Sequence, residues 1–158
     1  MNEDSCVSLL SDRFLMEGVI LSNRWEVGGE LGKGACAVVH HVSCLDESMA
    51  KKIDYDCVVK MISMGSDLKG KKQQKEQRVL SNTLNYEKDL YMGALREFPY
   101  RARMPMWFFG QDPQLDIRYL VMERLGMDLE QWSRTEIPSH GEIGILGAQM
   151  LRGLKVCE

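Results

Sequence analysis

A short glycine-containing segment, LGKGACAVV (31–39), is the first part of the sequence whose composition suggests chemistry. Gly32 and Gly34 lie two positions apart between two apolar stretches, which predicts a tight turn with exposed backbone N–H groups. Successive N–H groups in such a turn form a concavity that binds phosphate oxygens. The pattern Gly32-x-Gly34-x-x-Ala37 therefore predicts a phosphate site, although by itself it is weakly specific.

The same spacing also fits the G-x-G-x-x-A form of the dinucleotide-binding fingerprint. In that fingerprint the glycine loop must open a helix, because the N-terminal end of the helix dipole meets the pyrophosphate. Val38, Val39 and Val42 follow the loop here without a helical period and indicate a strand. The dinucleotide interpretation is therefore disfavoured, and a helix over 38–42 would restore it.

A strand lysine and a helix glutamate follow the loop in the chain. Lys60 comes directly after Val58 and Val59 in a β-branched run. Glu87 belongs to a series with helical spacings of three and four, formed by Leu80, Leu84, Glu87, Tyr91 and Leu95. In enzymes that transfer phosphoryl groups from ATP, such a lysine holds the α- and β-phosphates and such a glutamate holds the lysine. We expect Lys60 and Glu87 to form an ion pair; the alternative is an exposed lysine on one face of the strand.

Four motifs extend this pattern, and with them residues 24–158 resemble a protein kinase domain of the casein kinase 1 group. CVVK (57–60) stands in place of the commoner Val-Ala-Ile-Lys, as in the vaccinia-related kinases, which the chain resembles most. Tyr86-Glu87-x-x-x-Tyr91 is similar to helix C of the group. RYLVMERLGMDL (118–129) resembles the fifth strand, the hinge and the start of helix D, and QMLRGL (149–154) resembles the middle of helix E.

The resemblance implies a role for each matching position. Leu31, Val39 and Val58 would enclose the adenine from above, with Met122 as gatekeeper at the back of the pocket. The Glu123 carbonyl and the Leu125 N–H would pair with the adenine edge. Asp128 would lie near the ribose, or cap a helix, and Tyr91 would stack between the lobes. The implied ATP-binding residues are Leu31, Gly32, Gly34, Ala37, Val39, Val58, Lys60, Met122, Glu123, Leu125 and Asp128. Lys60 and Glu87 would form the catalytic ion pair.

The chain also departs from the family pattern. Ala37 replaces the third loop glycine and disfavours a positive φ, and Val58 is bulkier than the usual alanine. The family's catalytic loop would begin just after Glu158, and neither His-Arg-Asp nor Asp-Phe-Gly occurs in the 158 residues. ATP is thus the implied cofactor. Magnesium is implied by the family, but its ligands and the base aspartate are absent here, so this chain alone is expected to be inactive.

The elements that must position these residues predict an α+β fold with a kinase-like small lobe. Five strands in one antiparallel sheet are expected near 25–33, 36–43, 56–62, 105–110 and 117–123, with a helix centred on Glu87. A second helix is expected to begin at Asp128 with Gln131 as its capping partner, and a third after a Ser139–Glu142 capping box. The third helix carries Ile143, Leu146, Met150, Leu154 and Cys157 on one stripe.

The predicted organisation is a small lobe followed by the start of a large lobe. The expected segments are an irregular lead-in over 1–23, the small lobe over 24–122, a hinge over 123–127 and helices D and E over 128–158, ending before the catalytic loop. The first hypothesis is the ATP-binding portion of a serine/threonine protein kinase. The alternatives are a non-catalytic kinase remnant that acts as an interaction module, and an unrelated nucleotide-binding domain.

Composition excludes several classes of protein and disfavours some kinds of partner and metal site. With 44% hydrophobic and 27% charged residues, the chain is neither wholly disordered nor a coiled coil, and its net charge of −3 does not favour a nucleic-acid partner. Five cysteines without a Cys-x-x-Cys pair favour a reducing compartment over disulfides or zinc.

His40 and His41 are neighbours and point to opposite faces of a strand, so they are a weak metal candidate. We expect no membrane partner and a location in the cytoplasm or the nucleus.

One basic run stands out in this acidic chain. Between Lys69 and Arg78 it holds five lysines and arginines, interrupted by glutamines and one glutamate. A solvated loop or an extended start of helix C is one interpretation. A docking patch for an acidic partner or chromatin is the other.

Overall fold

The structure is a computed structural model that describes residues 16–34, 36–53, 55–66, 68–92, 106–126, 128–135 and 137–156. The chain divides into two compact units. The first comprises residues 1–88 and 104–124, and the second comprises residues 89–103 and 125–158. The boundary after Arg124 falls inside the predicted hinge, residues 123–127.

An antiparallel sheet of six strands forms the first unit, and its order is β1-β2-β3-β4-β6-β5. The strands are β1 Ile20–Leu21, β2 Trp25–Lys33, β3 Val38–Cys44, β4 Cys57–Ser63, β5 Met106–Asp112 and β6 Ile117–Glu123. Together with the helices described below, the sheet makes the fold α+β, as predicted. The later five strands lie within a few residues of their predicted positions.

The prediction of five strands is wrong by one, because β1 lies within the segment 1–23 that was expected to be irregular. Ile20 and Leu21 pair with Glu26 and Trp25 across a tight turn. Ser22 and Asn23 form that turn with positive φ angles of 48° and 53°. A two-residue strand is too short to show an alternating pattern, and the turn contains no glycine that would reveal it.

The main apolar core lies on one face of the sheet. Trp25 and Val27 of β2 are buried there, together with the inward-facing residues of the neighbouring strands, which include Val38, Val42, Val59, Met61, Ile117, Tyr119 and Val121. The rings of Phe108 and Tyr119 stack with their centroids 6.0 Å apart. Tyr119 also shares a hydrogen bond of 2.6 Å with the Ser22 hydroxyl, which ties β6 to the turn after β1.

Replacement of Gly110 with alanine is expected to lower the free energy of unfolding by about 1–3 kcal/mol, because the core has no room for the added methyl group. A Cβ at Gly110 would lie 2.5 Å from Cζ and Oη of Tyr119. The Tyr119 ring is fully buried and held at its hydroxyl, so it cannot move away. Urea denaturation measures the change. Gly29→Ala is the control, because its Cβ would meet none of the described atoms within 4 Å. Equal stability of the two variants would contradict the prediction.

Two helices begin in the first unit. α1 Glu47–Ala50 is a single turn, capped by the Asp46 carboxylate, which accepts hydrogen bonds from the backbone N–H groups of Ser48 and Met49. α2 Lys71–Met92 contains Glu87, as predicted. It begins nine residues before Leu80, the first residue of the period that predicted it, so most of the basic run is helical and forms the first two turns of α2.

The second unit contains α3 Leu129–Thr135 and α4 His140–Val156. The predicted caps are present. The Asp128 carboxylate accepts a hydrogen bond of 2.7 Å from the Gln131 N–H, and Ser139 and Glu142 bond reciprocally as a capping box. The backbone N–H and the hydroxyl of Ser139 donate hydrogen bonds to the Glu142 carboxylate and hold the pKa of Glu142 below its usual value. Ile143 and Met150 of the predicted apolar stripe are exposed within this unit.

Among the described helices none is long and apolar enough to cross a membrane.

Candidate nucleotide-binding face of the sheet

The predicted ion pair between Lys60 and Glu87 is present. Lys60 Nζ of β4 lies 2.7 Å from Glu87 Oε2 of α2, and the two side chains are 31% and 24% exposed. Because both are mostly shielded from water, their attraction is stronger than that of a surface pair. The pair joins the centre of the sheet to the helix packed on it, and solvent still reaches the ammonium group.

The strand register places the predicted adenine-contacting residues on the same face as Lys60. Val39 of β3 lies directly opposite Lys60, and Val58 of β4 lies directly opposite Met122 of β6. Directly opposed residues of antiparallel strands share a face, and so do residues two apart on one strand. Val39, Val58, Lys60 and Met122 therefore lie together on the face opposite the main core. We call these four residues the site face.

The glycine loop connects β2 to β3 at one end of this face. The loop is closed by pairing of Lys33 with Val38, and a bulge sets Leu31 and Gly32 against Val39. Because β3 is a strand, the helix that the dinucleotide fingerprint requires is absent, and that interpretation is wrong. A Cβ at Gly32 would meet none of the described atoms within 4 Å, so internal packing does not require glycine there.

One detail of the predicted phosphate concavity differs in the structure. The Gly34 N–H donates a hydrogen bond of 2.8 Å to the Ala37 carbonyl within the loop. That donor is therefore satisfied inside the protein and is not exposed for a phosphate oxygen. The sequence could not reveal this bond, because glycine spacing predicts a turn without specifying which of its N–H groups the turn itself uses.

The remaining predicted residues are divided between the two units. Glu123 ends β6 in the first unit, paired with Cys57. The chain after it is held by a hydrogen bond of 2.8 Å from the Arg124 N–H to the Asp56 carbonyl. Leu125 and Asp128 belong to the second unit, where Leu125 is exposed and Asp128 caps α3. The adenine-edge and ribose roles of these residues remain predictions.

Two residues that sequence reasoning did not single out position α2 on the sheet. Arg118 Nη1 donates hydrogen bonds of 3.0 Å to the Ser81 carbonyl and to Asn82 Oδ1. Gln77 Nε2 donates a hydrogen bond of 2.8 Å to the Ser63 carbonyl at the end of β4. Arg118 precedes Leu120 and Met122 on β6 by two and four positions, so all three side chains lie on the same face of the sheet. This alternation is the signal that could have placed Arg118 under the helix.

The histidine pair has the predicted orientation. His40 is buried on the core face, and its Nδ1 lies 3.0 Å from the Gly28 carbonyl oxygen. His41 is half-buried on the other face, opposite Val58. The two rings therefore lie on opposite sides of one strand and cannot bind the same ion.

The thiol of Cys57 is expected to react slowly with iodoacetamide. Burial raises the pKa of Cys57 to about 11. Because the thiolate is the reactive form, the folded protein at pH 8 should alkylate at least tenfold more slowly at this residue than the urea-unfolded chain. Mass spectrometry of the Cys57 peptide over time measures both rates. The rate in the folded protein should rise as the pH increases toward 11, and equal rates in both states would contradict the prediction.

Comparison with known proteins adds no assignment: no protein-family model matches the chain, and no curated protein matches it. The interpretation of the site therefore depends on its own residues and their geometry.

Proposed function

We propose that the chain is the ATP-binding portion of a serine/threonine protein kinase similar to the casein kinase 1 group. The observation that carries the proposal is the contact of 2.7 Å between Lys60 and Glu87, on the same sheet face as Val39, Val58 and Met122. A lysine in the middle of an apolar strand is costly to bury, and here a helix supplies the carboxylate that pairs with it.

Lys60 can serve Glu87 and a nucleotide together. An ammonium group has three donors, so a bond to Glu87 Oε2 leaves others for the oxygens of the α- and β-phosphates. Glu87 prevents the lysine from adopting many rotamers, which lowers the entropy lost when phosphate binds. In this proposal the pair positions the phosphates, as the resemblance implies.

The apolar part of the site face suits a purine ring. Val39, Val58 and Met122 contribute three apolar side chains beside Lys60, two of them on directly opposed strand positions. A flat aromatic ligand gains most from apolar contact on its faces, with a few polar groups to orient it. The open space at Gly32 supports the proposal, because a backbone without a side chain permits close approach of a ligand.

The non-catalytic interaction module is the second candidate. It shares the fold and the nucleotide face with the first, and the basic surface of α2 described below favours it. Transfer of phosphate to a protein hydroxyl belongs to the family that the chain resembles. ATP binding is therefore the part of the proposal that the described residues support directly.

Replacement of Gly32 with valine tests ATP binding without disturbing the fold. The space at the Cβ position of Gly32 is open, so we expect the melting temperature to stay the same, whereas the valine would obstruct a nucleotide on the site face. We expect at least about tenfold weaker binding of ATP, measured by isothermal titration calorimetry, since a steric clash with a ligand lowers its affinity.

Gly29→Val is the matched control, because Gly29 lies on the same strand and also has open space around its Cβ position. It should leave both the melting temperature and the ATP affinity unchanged. The proposal fails if the folded unsubstituted chain does not bind millimolar ATP, or if Gly32→Val and Gly29→Val bind ATP equally well.

A further inference from the structure

One side of α2 carries a stripe of basic residues. Lys71, Lys75, Arg78 and Asn82 recur at spacings of four, three and four, which places them on one side of a helix. All four are exposed. Asn82 Oδ1 accepts a hydrogen bond from Arg118 Nη1, so the guanidinium of Arg118 adds a fourth cation at the end of the stripe. At about 1.5 Å of rise per residue, the stripe from Lys71 to Asn82 is about 17 Å long.

The first cation of the stripe, Lys71, lies where it weakens the helix. The N-terminal end of a helix carries a partial positive charge, so acidic residues stabilise the first turn and basic residues destabilise it. The first turn of α2 contains no acidic residue and begins with Lys71 and Lys72. Glu76 is the single acidic residue of the basic run, and its Oε1 lies 4.0 Å from Lys72 Nζ. Neither of these two residues belongs to the stripe. Helix stability therefore does not account for the basic residues of the first turn.

Two large apolar side chains lie beside the stripe. Val79 is 61% exposed and Tyr86 is 73% exposed, and they are two turns apart on the same side of α2. The opposite side of the helix packs on the sheet through Leu84, which is fully buried, and through Glu87. The solvent-facing side of α2 thus combines apolar contacts with a flanking row of positive charge. We call Lys71, Lys75, Arg78, Val79 and Tyr86 the basic-apolar face.

We propose that the basic-apolar face binds an acidic segment of a partner protein, with a large apolar residue set among aspartates or glutamates. Charge complementarity carries the choice of partner, because a net-negative chain concentrates positive charge on this helix. Val79 favours a peptide over a nucleic acid, since a phosphate backbone makes no use of aliphatic surface. The row of cations is also short for a nucleic-acid footprint on a chain of net charge −3. The basic-apolar face shares no residue with the site face.

The probe is a fluorescein-labelled peptide of twelve residues with six glutamates around one phenylalanine, titrated with the 158-residue chain and followed by fluorescence anisotropy. Lys75→Glu/Arg78→Glu reverses two charges of the face and is expected to weaken binding at least about tenfold. Lys51→Glu/Lys52→Glu is the matched control, with the same change in net charge at exposed residues elsewhere. It should weaken binding less than about threefold.

Val79→Ser tests the apolar component without changing charge, and it should weaken binding of the phenylalanine peptide but not of the same peptide with serine in place of phenylalanine.

A labelled DNA strand of twelve nucleotides is the competing probe. The proposal is overturned if the two charge-reversal variants lose affinity equally, if the DNA binds more tightly than the peptide, or if 0.1 mM chain does not bind the peptide. Circular dichroism establishes that each variant is folded, and all substituted residues are exposed.

Discussion

Replacement of Lys60 with methionine is expected to weaken ATP binding by about ten- to hundredfold while the sheet stays folded, because charge-assisted hydrogen bonds contribute about 1.5–3 kcal/mol. Methionine keeps the length and apolar stem of lysine and removes only the ammonium group. The site face would lose the cation that the proposal assigns to the phosphates. Isothermal titration calorimetry with ATP measures the effect, and AMP should be affected less than ATP since it lacks the β-phosphate.

Two comparison variants separate this role from general electrostatics. Glu87→Gln removes the charge that positions Lys60 and keeps the lysine itself, so it should weaken ATP binding less than Lys60→Met. Lys52→Met removes an equal charge from an exposed position after α1 and should leave the affinity unchanged. If Lys60→Met binds ATP as tightly as the unsubstituted chain, the proposed phosphate role of Lys60 is wrong.

Replacement of Trp25 with alanine is expected to lower the free energy of unfolding of the first unit by about 3–5 kcal/mol, the range for truncation of a large buried aromatic side chain. Trp25 is fully buried, and its ring lies 6.4 Å from that of Phe108. Removing it leaves a cavity between β2 and β5, which are separated in the sheet order by three other strands. The core on that face would lose one of the contacts that link its two ends.

Urea denaturation followed by circular dichroism measures this change in stability. Tyr86→Ala is the matched control, because it truncates an aromatic side chain that is 73% exposed and should change stability by less than about 0.5 kcal/mol. A loss below about 1 kcal/mol for Trp25→Ala would contradict the packing described for the core.

The resemblance to a kinase domain, and not an alternating pattern, singled out the residues of the site face, because β4 and β6 are mostly buried on both faces. The strand register decided that Val39, Val58, Lys60 and Met122 lie on one face. The Lys60–Glu87 contact was predictable because an apolar strand must pair a lysine and the helical period sets the phase of Glu87. Its distance of 2.7 Å required the helix to be docked.

The docking of α2 could not be predicted in the same way. Gln77 of α2 donates a hydrogen bond to the Ser63 carbonyl of β4, and Arg118 of β6 donates one to the Ser81 carbonyl of α2. Strand alternation places Arg118 on the helix side of the sheet, but it does not specify which groups of α2 its guanidinium meets. The start of the helix at Lys71 agrees with the interpretation of the basic run as an extended start of the helix, but basic and glutamine residues carry no amphipathic period that fixes its first residue. The structure was needed to show that these residues form an exposed helical face.

Features that depend on a few neighbouring residues could be predicted from the sequence: the strand periods, the turn between β2 and β3, and the caps at Asp128 and Ser139. Two features required the folded chain. They are β1, whose two residues are a strand because β2 pairs with them, and the hydrogen bond that joins Ser22 to Tyr119 across 97 positions of the chain. The two groups differ in the range of the interactions that produce them. Periodicity and capping act within one or two turns, whereas pairing and burial depend on which distant surfaces the folded chain brings together.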